Sequence, residues 1–331
     1  MQLPNRRQFL HLAAGAVVVS CSPQSALAQD WPTRPLTMVV SFAAGSGSDI
    51  LGRILGPRLA EVLGRPVIIE NVGGAGGMTG TSRVARAQPD GYQFILGNAG
   101  THAVNQTLYK NPPYNAVTDF EPVALVAEQP IVLIARKDLP PNNLQELTSY
   151  ARANQSRMQY ASPGVGSTPH LACVLLNAAI GVDVTHIPYR GAAQAVQDVI
   201  AGRLDYQCST AAALAPQIEG RLVKGIAILT KERSPVLPEL PSAHEQGLTN
   251  FDTGTWYAFF LPKGTPKNIV QKLHNATAAT LDTPSIQQRL RETSFDPVAR
   301  ERRSPEYLKK LVDTEIVKWA GPIKSGGISA E

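Results

Sequence analysis

Two stretches of this 331-residue chain arrange serine, threonine and glycine in the pattern that can hold an anion without a cationic side chain. The first is Val39-Val40-Ser41-Phe42-Ala43-Ala44-Gly45-Ser46-Gly47-Ser48-Asp49, a strand leaving through a Gly/Ser turn into an apolar helix. The second is Ser162-Pro163-Gly164-Val165-Gly166-Ser167-Thr168-Pro169-His170, preceded by Met158 to Ala161. A helix start leaves four backbone N–H groups without intrahelical partners, and the aligned peptide dipoles place partial positive charge there. Glycine lets the backbone come close to whatever binds. The pattern therefore predicts a carboxylate or phosphate held by amides and hydroxyls of residues 43–48 and 162–168. Asp49 is expected to cap its helix by taking one amide, leaving the preceding ones for the ligand. In the second turn Ser167 or Thr168 is the expected N-cap, with Pro169 at the first helical position, where its missing N–H costs nothing. His170 reads either as a ligand contact or as a helix-start side chain tied to backbone.

Other chemistries lack their residues. There is no Gly-x-Ser-x-Gly elbow, no Gly-Lys-Ser/Thr phosphate loop, no His-Glu-x-x-His and no Cys-x-x-Cys. The rival reading, a secreted α/β hydrolase using Ser46, Ser162 or Ser167, has neither an elbow nor a local base in the sequence. The run Gly73-Gly74-Ala75-Gly76-Gly77-Met78-Thr79-Gly80 brings its third glycine one residue late for a dinucleotide fingerprint, and the next acid, Asp90, is too near. It reads as a tight turn with close backbone packing.

Strand-loop-helix order repeats along the chain, which predicts an α/β fold with mainly parallel sheets flanked by helices. Ile50, Leu51, Ile54, Leu55, Leu59, Val62 and Leu63 have helical spacing up to Gly64, with Pro57 inside as an expected kink or break. Val67 to Glu70 and Gln93 to Leu96 read as strands, and the exit from the second, Gly97 to His102, brings a third polar loop to the first one's end of the sheet. Two apolar runs, Val123 to Val126 and Ile131 to Ala135, precede a break at Pro140-Pro141 into a second α/β unit. There, strands are expected at 184–187, 204–208 and 225–229, with a helix from Ala193 to Ala201. Thr255 to Leu261 reads as a buried strand, followed by three helices that each open near a proline: Pro266, Pro284 and Pro305.

Apolar residues make up 43% of the chain and charged ones 17%, which describes a globular protein outside the disordered and membrane-embedded classes. At the N-terminus Arg6-Arg7 precedes an apolar run to Val19, too short to span a bilayer, and Ala26-Leu27-Ala28 is a small-x-small cleavage site. Residues 1–28 are accordingly expected to be a twin-arginine export signal, with lipoprotein processing at Cys21 the second choice. Cleavage after Ala28 leaves 29 basic residues against 26 acidic ones, a net charge of +3 without a basic run, which argues against nucleic-acid binding. Cys173 and Cys208 remain, in a compartment where disulfides form; their apolar neighbours suggest two buried free thiols in preference to a bridge.

The ordered set of motifs resembles the solute-binding proteins of tripartite tricarboxylate transporters, the Bug (TctC-like) family. The residues that carry the likeness are Trp31-Pro32-Thr33-Arg34-Pro35, Phe42-Ala43-Ala44-Gly45 with Asp49, Glu70-Asn71, Gly74-Ala75-Gly76 and Pro89-Asp90-Gly91-Tyr92. They continue through Asp119 to Val123, Ser162 to Ser167, Pro188-Tyr189-Arg190-Gly191, Trp256-Tyr257 and Pro262 to Pro266. The resemblance implies a two-domain type II periplasmic binding protein fold, with the ligand cleft between domain 1 (30–126 plus 253–331) and domain 2 (127–252) and hinge strands near 121–127 and 250–257. It implies a monomeric periplasmic receptor that closes on a small carboxylate and passes it to a membrane permease, with no catalysis, cofactor or metal. A ligand sensor on the same fold is the alternative. The family's pincer loops map to Ala43–Ser48 and Ser162–Thr168, largely through backbone amides, and Asn98, Thr101, Tyr189 and Ser209 are candidates for the far end of the pocket. Ser46 stands where the family usually has a second glycine, Ser41 where it has proline, Arg190 where lysine is common and Cys173 where the helix usually has glycine.

Overall fold

Strand β1 (Leu36–Val40) is buried along its length except at half-buried Thr37, as a central parallel strand covered on both faces must be. The computed structural model describes residues 31–249 and 251–325. The expected export signal, with Arg6-Arg7, Cys21 and the Ala26–Ala28 cleavage site, lies outside the described residues. After β1 come α1 (Gly47–Leu63), β2 (Val67–Asn71), α2 (Met78–Ala85), β3 (Gln93–Asn98), the short α3 (Asn105–Leu108) and the long β4 (Phe120–Arg136). The middle of the chain adds α4 (Leu144–Asn154), β5 (Gln159–Ser162), α5 (Thr168–Ile180), β6 (Thr185–Pro188), α6 (Ala192–Ile200), β7 (Tyr206–Thr210), α7 (Ala211–Glu219) and β8 (Val223–Ile228). The chain returns through β9 (Gly254–Pro262), α8 (Lys267–Leu281), α9 (Pro284–Glu292), the two-residue β10 (Asp296–Pro297) and α10 (Pro305–Ser325).

The strand order β2-β1-β3-β9-β4-β7-β5-β6 contains two parallel cores, β2-β1-β3 and β7-β5-β6, joined by antiparallel β9 and β4. From Phe120 to Pro130 strand β4 pairs with β9, and from Ile131 onward with β7 and β8. Two hydrophobic clusters pack around β1, β3 and β9, and two more around β5, β7 and the second half of β4. This is the two-domain α/β architecture expected from the sequence. All helix N-termini that follow β1, β5, β6 and β7 lie at the carboxyl ends of parallel strands, where a crevice forms.

The apolar stretch before Pro140 is one strand over residues 120–136: Pro122 sits at a register shift, where no ladder N–H is needed, and Pro130 pairs with Gly254 at the start of β9. Two local readings are corrected. Helix α1 runs unbroken through Pro57. Pro57 is exposed, so the carbonyl it frees at Arg53 faces water, while Leu51, Leu55 and Leu59 keep the buried stripe, each full burial worth about 2 kcal/mol. Finally, Cys173 and Cys208 form a disulfide, with Cα atoms 5.7 Å apart. Strand β7 runs beside β5, and α5, which follows β5, covers the face of β7 that carries Tyr206 and Cys208. The Tyr206 hydroxyl donates to Asn177 Oδ1 (2.8 Å) about one turn along the same helix from Cys173.

Candidate functional site

At the exit of β1 the cap of α1 is Ser46, where Asp49 had been expected: the Ser46 hydroxyl accepts from the Asp49 amide (3.3 Å) in an extended conformation suited to an N-cap. Asp49 does take one amide, that of Gly45 (2.9 Å), and its two oxygens also accept from Arg53 Nε (3.0 Å each). Burial pushes the Asp49 carboxyl up, but the Arg53 guanidinium and the Gly45 amide outweigh it and hold the group below the usual carboxylate range. Asp49 is therefore an ionised anchor of the turn, its charge answered within the same helix. Ser46 N donates to Ala43 O (3.2 Å). The amides of Ala44, Gly47 and Ser48 and the Ser48 hydroxyl have no partner among the described residues.

The second turn consumes more of its own donors. Ser167 caps α5, accepting from His170 N (3.3 Å) and donating through Oγ to Gly164 O (2.7 Å), while Ser167 N donates to the same carbonyl (3.1 Å). Gly164 N donates to Ser162 Oγ (3.1 Å) and Gly166 N to His170 Nδ1 (3.4 Å). Val165 N and Thr168 N remain without a described acceptor, and Thr168 Oγ1 lies 3.4 Å from Thr255 Oγ1 on β9.

His170 is thus tied to backbone, as one of its two readings held. Its ring lies 4.3 Å from that of His186, which stacks in turn on Tyr160 (4.8 Å). Burial, with a smaller contribution from His186, lowers the His170 pKa to about 3, and burial lowers His186 to about 4. Neutrality suits both, because His170 Nδ1 must keep a lone pair to accept from Gly166. Ser162 Oγ lies 2.8 Å from His186 Nε2, so a base does stand next to a serine, contrary to the expectation from sequence. Ser162 is fully buried, its oxygen already accepts the Gly164 amide, and no described carboxylate hydrogen-bonds to His186. The contact fixes the turn and lacks the orienting acid of a hydrolytic triad.

The remaining candidates divide. Asn98 and Thr101 bond each other: Thr101 N donates to Asn98 Oδ1 (3.0 Å) and Asn98 N to Thr101 Oγ1 (3.0 Å), which leaves the Asn98 amide nitrogen as the free donor. Thr101 Oγ1 also contacts His102 Nδ1 (2.9 Å). The Tyr189 hydroxyl donates to Asp198 and is committed within its own domain. Ser209 is buried opposite Val132 in the sheet. The residue after it, Thr210, was missed. At 6% exposure, it occupies the N-cap position of α7 without capping it, and its hydroxyl would stand 2.7 Å from a Cβ on Gly47. Tyr257 Oη and Gln129 Oε1, themselves hydrogen-bonded (3.1 Å), lie at 2.6 and 2.9 Å from the same point. Gly45 faces Ala193 at the start of α6, and a Cβ on Gly100 would lie 3.1 Å from Thr168 N. The starts of α1, α5, α6 and α7 therefore meet across the two domains, lined by amides and hydroxyls. Arg190 is exposed, and neither turn contains Lys or Arg.

The chain is similar to known proteins along most of its length. Residues 51–328 match the family described as the tripartite tricarboxylate transporter family receptor, TctC. A protein of Agrobacterium vitis, the UPF0065 protein of the TAR-I ttuE-ttuC' intergenic region, is 35% identical over 306 residues, covering 92% of this chain and 88% of its own length. The solved periplasmic binding protein BugD is 40% identical with a TM-score of 0.88, over 91% of this chain and all of that one. MatC of Rhodopseudomonas palustris, solved with bound malate, is 38% identical with a TM-score of 0.85, over 88% of this chain and all of that one. BugD is a periplasmic binding protein and MatC holds malate; among the described residues of this chain no helix is long and apolar enough to cross a membrane. The chain belongs to the TctC family of periplasmic solute-binding receptors.

Proposed function

We propose that this protein captures a small carboxylate between residues 43–48 and 162–168 and delivers it, as a periplasmic monomer, to the membrane permease of a tripartite tricarboxylate transporter. The observation that carries the reading is the set of amides left over when both turns have capped themselves: Ala44, Gly47 and Ser48 from one domain, Val165 and Thr168 from the other. Hydrogen bonds to an ionised group are worth about 1.5 to 3 kcal/mol each, so five such donors can support micromolar binding, about 8 kcal/mol, after ordering costs. We place the domain hinge where β4 and β9 cross, with 30–126 and 253–331 on one side and 127–252 on the other. MatC's bound malate supports a carboxylate as ligand. The absence of Lys and Arg from both turns favours recognition of one carboxylate group over a particular carbon skeleton.

The test is a thermal-shift panel of small carboxylic acids, malate included, each beside its neutral amide. A ligand at a hundredfold excess over its dissociation constant adds about 2.7 kcal/mol, which raises the melting point by several degrees. Acids should shift the protein and amides should not. Amides binding as well as acids would remove the anion pincer.

A further inference from the structure

The turn that carries Val165 and Thr168 is gripped by the opposite domain. Tyr109, just after α3, donates its hydroxyl to Val165 O (3.2 Å). The Gly73–Gly77 segment lies directly on the same carbonyl: a Cβ on Gly76, whose φ is +59°, would overlap Val165 O and stand 3.1 Å from the Gly166 carbonyl carbon. Asn105, fully buried, donates Nδ2 to Gly76 O (3.3 Å), and its Oδ1 abuts Gly166 without a hydrogen-bond partner. Gly164 completes the seam, its Cβ position 3.5 Å from Gly76 N. Backbone here meets backbone, held by the Asn105 and Tyr109 side chains, and no charged group takes part.

From this we infer that Gly76, Asn105 and Tyr109 form a latch that fixes the Val165–Gly166 peptide against the first domain and so sets how long a ligand stays bound. The inference rests on the receptor reading above. None of the three is a recognition residue: they are positioning residues, acting through Val165 and Thr168. The run of glycines after β2 thereby acquires a purpose, since only a residue without Cβ lets the strap touch the carbonyl and adopt positive φ at no steric cost. The unpaired Asn105 Oδ1 opposes closure, because opening the seam would hydrate it, and this keeps the latch reversible.

Two measurements on the purified protein test this. In stopped-flow binding with malate as probe, Tyr109→Phe should accelerate dissociation about fivefold, the equivalent of one neutral hydrogen bond, and leave the association rate and the acid-over-amide preference unchanged. Gly76→Ala should accelerate dissociation by more than about tenfold, since its methyl forbids the contact. The second measurement needs no ligand: amide hydrogen exchange of residues 162–168 should rise in both variants while β1, β3 and β9 exchange as in the wild type. Wild-type rates in both measurements would overturn the latch. If wild-type protein fails to bind malate, the acid that gives the largest thermal shift replaces it as probe, and wild-type dissociation rates in both variants then overturn the latch. A uniform rise in exchange would mean that the substitutions merely loosen the fold, and the latch would be rejected.

Discussion

Lowering the pH from 7.5 to 5 should cost this protein several kcal/mol of stability through histidines alone. His102 is fully buried, its ring stacked 3.9 Å from Phe260 with Nε2 unpartnered, and burial lowers its pKa to about 3. His170, at 5% exposure, is lowered to about 3 as well, by burial and then by His186. In the unfolded chain both return to about 6.5. A histidine whose folded pKa is depressed gives its full contribution above the unfolded value, and loses it as pH falls below about 6.5 toward the folded value, because the unfolded state then binds the extra proton. At pH 5 the unfolded side chain is almost wholly charged and the folded one is not, so each residue costs about 2 kcal/mol and the pair about 4 kcal/mol. For roughly 300 ordered residues that is a melting point about 6 °C lower. Half-buried His186 adds to this in the same direction. The window lies above the range where the depressed carboxylates Asp49, Glu70 and Asp282 protonate, so they do not confuse the result. Urea unfolding followed by tryptophan fluorescence at pH 7.5, 6.5, 5.5 and 5.0 measures it. In His170→Gln, whose side-chain oxygen can still accept from Gly166, the pH-dependent loss should shrink by about 2 kcal/mol. Equal stability at pH 7.5 and 5, or an undiminished loss in His170→Gln, would refute the argument.

Three further predictions concern the staple, the turn and the address. Replacing Cys173 and Cys208 together by alanine frees a 35-residue loop and should cost about 4 kcal/mol in urea unfolding under oxidising conditions; a change below about 1 kcal/mol would deny the disulfide its stabilising role. Gly47→Val should abolish carboxylate-induced stabilisation, since a Cβ there meets Tyr257 Oη at 2.6 Å and Thr210 Oγ1 at 2.7 Å; an unchanged thermal shift would place the ligand elsewhere. Changing both Arg6 and Arg7 to lysine should leave unprocessed precursor inside the cell, whereas mature protein in the periplasm would assign export to the general secretory route.

What could be read from the sequence was what is local. The starts of α1 and α5, the stops at Gly64 and Gly181 and the closing helices after Pro266, Pro284 and Pro305 follow from capping rules that involve a few neighbouring residues. The disulfide was hidden because 35 intervening residues carry no distance: only the parallel pairing of β5 with β7 brings α5 over Cys208. His186 came to Ser162 in the same way, through the β5–β6 register that sets it opposite Tyr160. Thr210 was passed over for Ser209 because alternation along a strand decides which of two adjacent hydroxyls meets Gly47, and the frame of that alternation is set by pairing with β4.

The least legible feature of the site is also its most consequential one, the allocation of amides. From sequence each glycine and serine in 43–48 and 162–168 looks like a donor for the ligand. In the structure the caps compete for the same groups: Asp49 takes Gly45, Ser46 takes Asp49, Ser162 takes Gly164, His170 takes Gly166 and Ser167 takes His170. A side chain that caps its own helix satisfies a donor at low entropic cost, so a ligand can only claim what such caps leave. On the proposed reading, the residues that look most like anion binders hold the turns in shape, and the ligand is left the amides of Ala44, Gly47, Ser48, Val165 and Thr168, of which Ala44 and Val165 bear side chains with no anion-binding character. Substituting the Ala44 or Val165 side chain without disturbing the backbone should change ligand affinity little in the thermal-shift panel, whereas removing the Ser46 or Ser167 hydroxyl should release a competing amide and alter the turn that presents the rest.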